Sequence, residues 1–281
     1  MAPDKYDITV IGREPHGNYN RIMLSPVLAG EKAFEDIVIH PLSWYAERGI
    51  TLLAGHTVTG VDRVQRCVTT DQGASVNYDR LLLATGSVPF MIPMPGHDHP
   101  DVISFRDIAD VRRMLEPSAT LPRVVVLGGG LLGLEAANGL VKQGMAVTVV
   151  NDAAYLLNRQ LDEEASSLLR AALEAKGIAF KVSAVTSHIS HNADTGKLNA
   201  LHFKDGTELP CDVLVYATGY GSMNRWLADL ISPETADRLG KVWGLGSDTP
   251  KDPGPWEGEL RNMWKPTQVP HLWFHGGNLH Q

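Results

Sequence analysis

The sequence predicts an α/β fold in which parallel strands alternate with helices, and three observations carry this prediction. A glycine-rich turn, Gly128 to Gly133, lies between an apolar run at 124–127 and a helix-like stretch at 131–142. A second apolar run at 146–150 completes a strand–turn–helix–strand unit. Apolar residues then recur at helical spacing over 161–176, with acidic residues in the first turn and Lys176-Gly177 at the end.

Shorter apolar runs predict the remaining elements. Strands are expected at 6–11, 50–54, 57–61, 67–70, 81–84, 178–182, 185–189, 198–203 and 213–217, and helices at 21–28, 41–48 and 105–115. Four prolines indicate an irregular connector over 88–101. With 281 residues, the chain is long enough for more than one compact domain. We expect three segments, at 1–120, 121–210 and 211–281.

The glycine-rich turn has the spacing that holds a dinucleotide. In such a unit the first glycine, here Gly128, allows a tight turn, and the second, Gly130, lets the backbone approach a pyrophosphate. The third, Gly133, permits close packing of helix against strand, and the helix N-terminus supplies amides and a positive dipole. A single such pattern is a weak signal, but the flanking strand, helix and strand are those the site requires.

Asp152 is the candidate for the acid that accepts from a ribose 2′-hydroxyl, since it lies about 20 residues beyond the turn. The neighbouring Asn151 makes that assignment less specific. The nearest arginine, Arg159, follows an expected loop, so NAD is favoured only slightly over NADP.

Composition and charge exclude several classes of function. The net charge is −7, and no lysine and arginine cluster is present to neutralise the phosphates of a nucleic acid. There are two cysteines, far apart, and the histidines match no metal-ligand spacing, so we expect no metal site. No signal peptide or long apolar segment is present, which predicts a cytoplasmic protein without a membrane partner.

Two apolar runs end in the same tripeptide, Ala-Thr-Gly. The first places Thr85 and Gly86, and the second Thr218 and Gly219, at the end of an expected strand. A small residue and a glycine let the chain turn tightly beside a ligand, although either run alone is also an ordinary strand end. Together with the glycine-rich turn, they indicate cofactor contacts.

Long stretches of the chain resemble a known family. Residues 6–203 resemble the FAD/NAD-binding portion of the assimilatory NAD(P)H nitrite reductase large subunit. The stretches that carry the resemblance are YDITVIGREPHGNYNRIMLSPVLAG at 6–30, YDRLLLATGSVP at 78–89, VVVLGGGLLGLEAANGL at 124–140 and RQLDEEA at 159–165. From about 212 to 281 the chain is similar to flavin-containing monooxygenases, through DVLVYATGY at 212–220 and KDPGPWEGELRNMWKPTQ at 251–268.

The resemblance implies FAD and NAD(P)H as cofactors, with hydride passing from nicotinamide to flavin. It places Glu14 at the FAD adenosine ribose, Arg21 near the flavin, and Thr85 and Gly86 beside the FAD. Glu135 matches a family glutamate near the contact of nicotinamide and flavin. An equally good interpretation of Glu135 is a first-turn acid that complements the helix dipole.

Such flavoproteins have an additional glycine-rich unit for the FAD pyrophosphate, which would precede Met1. We therefore expect a two-dinucleotide-binding-domain flavoprotein reductase architecture with the first FAD βαβ unit truncated. Three functions stay open: an NAD(P)H-dependent flavoprotein oxidoreductase with an unidentified electron acceptor, a monooxygenase-like enzyme, and a non-catalytic nucleotide-binding fragment. A homo-oligomer and a separate reductase subunit are both compatible with the sequence.

Overall fold

A computed structural model describes residues 5–116, 122–219, 228–229, 231–239, 242–243 and 259–260. The chain forms two compact units. The first unit takes the described residues of Met1–Tyr19, Val38–Val88 and Tyr220–Gln281, and the second takes those of Asn20–Ile37 and Pro89–Gly219. This grouping differs from the three expected segments, because Asn20–Ile37 and Pro89 onward join the unit that holds the glycine-rich turn.

The first unit contains small sheets. Its strands are β1 (Thr9–Gly12), β2 (Thr51–Ala54), β3 (Val58–Asp62), β4 (Cys67–Thr70) and β5 (Ser75–Asn77), and its helix α2 is Leu42–Ala46. Strands β1 and β2 pair in parallel, and α2 immediately precedes β2, while β3, β4 and β5 form an antiparallel meander. Helix α6 (Pro233–Leu239) and the parallel strands β14 (Val242–Trp243) and β15 (Glu259–Leu260) also belong here.

The strand expected at 81–84 is wrong. Apart from a single bridge at Leu83, these residues are irregular, and Leu82 is 58% exposed. Within the described residues β1 pairs only with β2, and its Val10 is 38% exposed. An apolar run becomes a strand only when a neighbour satisfies its backbone groups, and the run at 81–84 has no such neighbour in the described part of the chain.

The second unit is built on a five-stranded parallel sheet. Its strands are β6 (Val102–Ser104), β7 (Arg123–Leu127), β8 (Ala146–Val150), β9 (Ala179–Lys181) and β13 (Val213–Tyr216), in the spatial order β6-β13-β7-β8-β9. The sheet places β7 at the centre, where Val124 to Leu127 are buried. A run of β-branched residues suits a strand that is covered on both faces.

Helices and a second sheet complete the second unit. The helices are α1 (Leu24–Leu28), α3 (Ile108–Leu115), α4 (Leu131–Lys142) and α5 (Glu163–Glu174). The strands β10 (Thr186–His191), β11 (Leu198–Phe203) and β12 (Glu208–Pro210) form an antiparallel sheet whose Leu201 and Phe203 share a core with Val125 and Leu214. The structure confirms the α/β class, and the sequence pattern did not predict the strands β5, β6, β12, β14 and β15.

Local capping explains where the helices begin. Asp162 precedes α5, and its carboxylate accepts a hydrogen bond from the Ala165 N–H at 2.9 Å. Asp107 caps α3 in the same way through the Asp110 N–H at 3.0 Å. Helix α4 has no side-chain cap, because the residue before it is Gly130. The N-terminal amides of α4 are thus left to another acceptor.

Candidate dinucleotide-binding site

The glycine-rich turn joins the carboxyl end of β7 to the start of α4. Gly128 has a φ of +122°, a conformation that side chains rarely adopt, and its N–H donates to the Val150 carbonyl at 2.8 Å. A Cβ atom at Gly128 would overlap the Ala217 carbonyl oxygen, and one at Gly133 would overlap the Gly128 carbonyl oxygen. Both positions therefore require glycine for packing, as the spacing predicts.

Gly130 is different, because a Cβ atom there would meet no atom within 4 Å. The residue is exposed and extended, with φ of −82° and ψ of 179°. No acidic residue lies in the first turn of α4. The space beside Gly130 and the open helix N-terminus fit a pyrophosphate, whose charge the helix dipole and the amides stabilise.

Asn151 supports the turn from the end of β8. Its side chain is buried, and its Oδ1 accepts a hydrogen bond from the Gly129 N–H at 3.1 Å. Its Nδ2 donates to the Tyr155 carbonyl at 3.1 Å. Asn151 is thus a structural residue of the site, a role that its sequence context did not predict. A polar residue at a strand end, about 20 residues after the turn, was the available signal.

Asp152 is exposed, directly after Asn151. It lies on the β8 side of β7, while Thr218 and Gly219 lie on the β13 side. In this kind of fold, ligands usually bind in a crevice at the carboxyl ends of the strands. The crevice forms where two neighbouring connections leave the parallel sheet in opposite directions. The sheet order therefore places predicted ribose and cofactor contacts on either side of the glycine-rich turn.

The second Ala-Thr-Gly tripeptide lies directly against this turn. The Ala217 N–H donates to the Leu127 carbonyl at 2.9 Å. The Phe90 N–H donates to the Gly219 carbonyl at 2.9 Å, and the Thr218 hydroxyl donates to the Phe90 carbonyl at 2.5 Å. Gly219 has a φ of +95°. These bonds hold the end of β13 against the segment that begins at Pro89.

Tyr216, at the end of β13, is buried and donates through its hydroxyl to the Ile92 carbonyl at 3.3 Å. Burial raises the pKa of this phenol to about 12. Because the hydroxyl keeps its proton at neutral pH, Tyr216 acts here as a hydrogen-bond donor and core residue.

Glu135 lies five residues after Gly130, in the second turn of α4. The interpretation as a first-turn acid is therefore not supported, because α4 begins at Leu131. Its Oε2 accepts a hydrogen bond from the Ser25 hydroxyl at 2.6 Å. Ser25 belongs to α1, so this bond joins two helices of the second unit.

The remaining predicted residues divide between the units. Arg21 belongs to the second unit, where its Nη1 donates to the Arg106 carbonyl at 3.1 Å. Glu14, Thr85 and Gly86 belong to the first unit. Glu14 follows β1, and its Oε2 accepts from the Tyr19 hydroxyl at 2.5 Å, while Gly86 has a φ of +69°.

The described residues supply only part of an FAD site. Glu14 lies beyond the carboxyl end of β1, as a ribose-binding acid requires, and Gly86 makes a turn. Among the described residues of the first unit, however, no glycine-rich turn leads from a strand into a helix. The FAD pyrophosphate cradle is therefore not among these residues, whereas the second unit fits a pyridine nucleotide.

Within the described part of the chain, no group of three or more histidine, cysteine or carboxylate side chains is placed to hold a metal ion. Cys211 is buried, and burial raises the pKa of its thiol to about 12.

No helix among the described residues is both long enough and apolar enough to cross a bilayer.

The fold and the glycine-rich turn define a dinucleotide-binding protein of the oxidoreductase type. The model of the pyridine nucleotide-disulphide oxidoreductase family matches residues 1–238. The chain belongs to this family. The family uses FAD and a pyridine nucleotide, so the two predicted cofactors are confirmed at the level of the family.

Relatives and solved structures agree with this class. The chain is 40% identical over 276 residues, 98% of its length, to the nitrite reductase [NAD(P)H] of Bacillus subtilis (strain 168), of which it covers 31%. It is 42% identical to the assimilatory nitrate reductase electron transfer subunit of the same organism, over 76% of this chain and 27% of that protein. The crystal structure of the covalent putidaredoxin reductase–putidaredoxin complex gives a TM-score of 0.72 at 26% identity, over 85% of this chain and 56% of that one.

These matches confirm the resemblance to nitrite reductases and the two-dinucleotide-binding flavoprotein reductase architecture. The chain spans less than a third of the length of either curated relative. The similarity to nitrite reductase also extends beyond residue 203, since it covers 98% of the chain. The monooxygenase-like segment stays a prediction, and most of residues 212–281 lie outside the described residues.

Proposed function

We propose that the chain carries a pyridine-nucleotide-dependent oxidoreductase activity of the nitrite reductase type, in which hydride leaves NAD(P)H and electrons continue to an acceptor. The observation that supports this most is the geometry of the glycine-rich turn. Gly128 and Gly133 are packed tightly, Gly130 faces open space, and the amides of α4 lack a side-chain cap. This combination suits a bound pyrophosphate.

The residues of the second unit have distinct roles in this proposal. The backbone at Gly130 and the N-terminus of α4 bind the pyrophosphate, and Asn151 holds the turn in shape. Asp152 accepts from the adenosine ribose 2′-hydroxyl, which favours NAD over NADP. The nicotinamide then lies on the β13 side of the turn, beside Thr218, Gly219 and Glu135.

FAD is proposed as the hydride acceptor because the family uses it. When bound, the flavin supplies an acceptor that takes two electrons from the nicotinamide and releases them singly or together. Within the first unit, Glu14, Thr85 and Gly86 are the candidate contacts that the family resemblance implies. Arg21, in the second unit, stays a prediction from the same resemblance. No step is assigned through the FAD phosphates, because the described residues do not provide their cradle.

The electron acceptor is proposed only by class. One relative is by name an electron transfer subunit, and another is the ferredoxin–NAD(+) reductase subunit of the benzene 1,2-dioxygenase system of Pseudomonas putida. We propose that this chain, in the same way, transfers electrons to a separate redox centre. Its identity, the formation of a homo-oligomer and a cytoplasmic location stay predictions.

Purification of the full chain after FAD addition tests the proposal. Flavin absorbance in the protein fraction, together with NADH oxidation that depends on an artificial one-electron acceptor, would support the reductase. Oxygen consumption that rises with a nucleophilic organic substrate would favour the monooxygenase instead. Dinucleotide binding without flavin absorbance would leave the non-catalytic nucleotide-binding interpretation.

A further inference from the structure

A hydrogen bond of 2.6 Å joins the Ser25 hydroxyl on α1 to the Glu135 Oε2 on α4. Both helices belong to the second unit. Ser25 is far from the glycine-rich turn in sequence, and no spacing rule relates it to that turn. The fold brings it to a carboxylate that lies on the helix leading away from the proposed pyrophosphate site.

Other contacts hold α1 on α4 independently of this bond. Leu28 is fully buried and occupies a notch at Gly139, where an added Cβ atom would lie 2.9 Å from the Leu28 Cγ. The Gln143 Nε2 donates to the Leu28 carbonyl at 2.9 Å, and Lys142 pairs with Glu31. Positions 135, 139, 142 and 143 lie on one face of a helix. Ser25 is therefore fixed in place without the help of Glu135.

The sequence separation and the sheet order show where the Ser25–Glu135 pair lies relative to the glycine-rich turn. Glu135 is five residues from Gly130, about 7.5 Å along the helix axis at 1.5 Å per residue. Helix α1 also packs against α3, which follows β6 at the β13 side of the sheet. Asp152 follows β8, on the opposite side of the turn. A dinucleotide whose adenosine lies at Asp152 thus directs its nicotinamide toward the side of Glu135.

We propose that Ser25 is a positioning residue that holds the Glu135 carboxylate in the orientation in which it accepts from the carboxamide N–H of the nicotinamide. This inference rests on the proposed function. A carboxylate on a flexible side chain loses rotational freedom when it binds a ligand, and a fixed hydroxyl donor removes part of that cost in advance. Ser25 thereby favours the nicotinamide half of the ligand and leaves the adenosine half unaffected.

Calorimetric titration of the full chain with NAD⁺ and with ADP-ribose, which lacks nicotinamide, tests this role without requiring turnover. We expect Ser25→Ala to weaken NAD⁺ binding about fivefold, the size expected when one more side chain must be ordered on binding, and to leave ADP-ribose binding unchanged. Ser25→Thr keeps the hydroxyl and should restore NAD⁺ affinity. Glu135→Ala removes the acceptor and should weaken NAD⁺ binding, and adding Ser25→Ala to it should have no further effect.

Lys142→Ala is the matched control, because it removes the ion pair of α4 with Glu31, which follows α1, and leaves Glu135 in place. It should change neither affinity. If the unchanged protein fails to bind ADP-ribose, the proposed function itself is wrong. If ADP-ribose binds and Ser25→Ala affects both ligands equally, or neither, the positioning role is overturned while the nucleotide site stands.

Discussion

The buried side chain of Asn151 connects two loops of the nucleotide site by accepting a hydrogen bond from the Gly129 N–H at 3.1 Å. Its Nδ2 faces the carbonyl oxygens of Ala153 and Tyr155, at 3.4 and 3.1 Å. An amide is suited to this place, because it presents an acceptor to the turn and a donor to the following loop. The shape of the turn therefore depends on a residue at the end of the next strand.

Replacement of Asn151 should destabilise the second unit. Asn151→Ala leaves the Gly129 N–H and the two carbonyls without their side-chain partner, and we expect a loss of about 2–3 kcal/mol in the free energy of unfolding. Asn151→Asp should cost at least as much, since a carboxylate would face two carbonyl oxygens. Urea denaturation followed by circular dichroism measures both. Equal stability of all three proteins would contradict the structural role.

Substitutions of two glycines in the turn should affect different properties: NADH affinity at Gly130 and the free energy of unfolding at Gly133. Gly130→Ala places a methyl group in open space, so the free energy of unfolding should change by less than about 0.5 kcal/mol. The same methyl group obstructs the approach of the pyrophosphate, and NADH affinity should fall about tenfold.

Gly133→Ala provides the contrasting variant. Its Cβ would overlap the Gly128 carbonyl, which belongs to the backbone and has little room to move. We expect about 2–3 kcal/mol of destabilisation, as for other cases of overpacking. Thermal unfolding and fluorescence titration with NADH distinguish the two variants. Loss of stability in Gly130→Ala with unchanged NADH affinity would reverse the assigned roles.

Substitutions at Gly139 and Leu28 should have non-additive effects on the free energy of unfolding. Leu28→Ala removes a fully buried side chain, at a cost of about 2–4 kcal/mol. Gly139→Ala forces a Cβ atom against Leu28, at a cost of about 1–3 kcal/mol. In the double variant the new methyl group enters the space that Leu28 has left. Its destabilisation, measured by urea denaturation, should be smaller than the sum by about 1 kcal/mol or more. Additive effects would contradict direct packing of these residues.

The sequence predicted the second unit better than the first, for physical reasons. The bounds of α4 and β8 agree with the predicted 131–142 and 146–150, because local signals coincide there with burial in a large sheet. The run at 81–84 carries an equally strong strand signal but lacks a pairing partner among the described residues. Strand formation depends on such neighbours, which a local pattern does not contain.

Site prediction had a similar limit. The turn glycines and Asp152 follow from spacing along the chain, and the structure places them at one crevice. Ser25 and the supporting role of Asn151 depend on contacts across 110 and 22 residues of sequence. No spacing rule relates Ser25 to the turn, and the spacing of Asn151 does not distinguish a supporting amide from a ribose contact, so both roles follow only from the folded chain.

Asp152 should set the preference between the two pyridine nucleotides. Its exposed carboxylate can accept from the NAD ribose 2′-hydroxyl, and it repels the 2′-phosphate of NADP. Asp152→Ala should lower NADH affinity about fivefold and leave NADPH affinity equal or higher. Paired fluorescence titrations measure the ratio, with Glu174→Gln at the C-terminal end of α5 as a control. A ratio that does not change would exclude Asp152 from ribose recognition.

The pair of Arg123 and Asp212 should add a small dependence of stability on pH. The Arg123 Nη2 lies 2.8 Å from the Asp212 Oδ1, and this bond lowers the pKa of Asp212 below its ordinary value. A carboxyl whose pKa is lower in the fold stabilises the protein above its unfolded pKa of about 3.9, and the contribution is lost as the pH falls through the folded pKa.

Because both side chains are about half exposed, at 54% and 43%, solvent weakens the pair to about 0.5–1 kcal/mol. Asp212→Asn should therefore reduce the free energy of unfolding by this amount at pH 7. The difference from the unchanged protein should shrink steadily as the pH falls below about 4. Urea denaturation of both proteins across pH 3–7 measures it. A difference that stays constant over this range would show that the charge of Asp212 does not stabilise the fold.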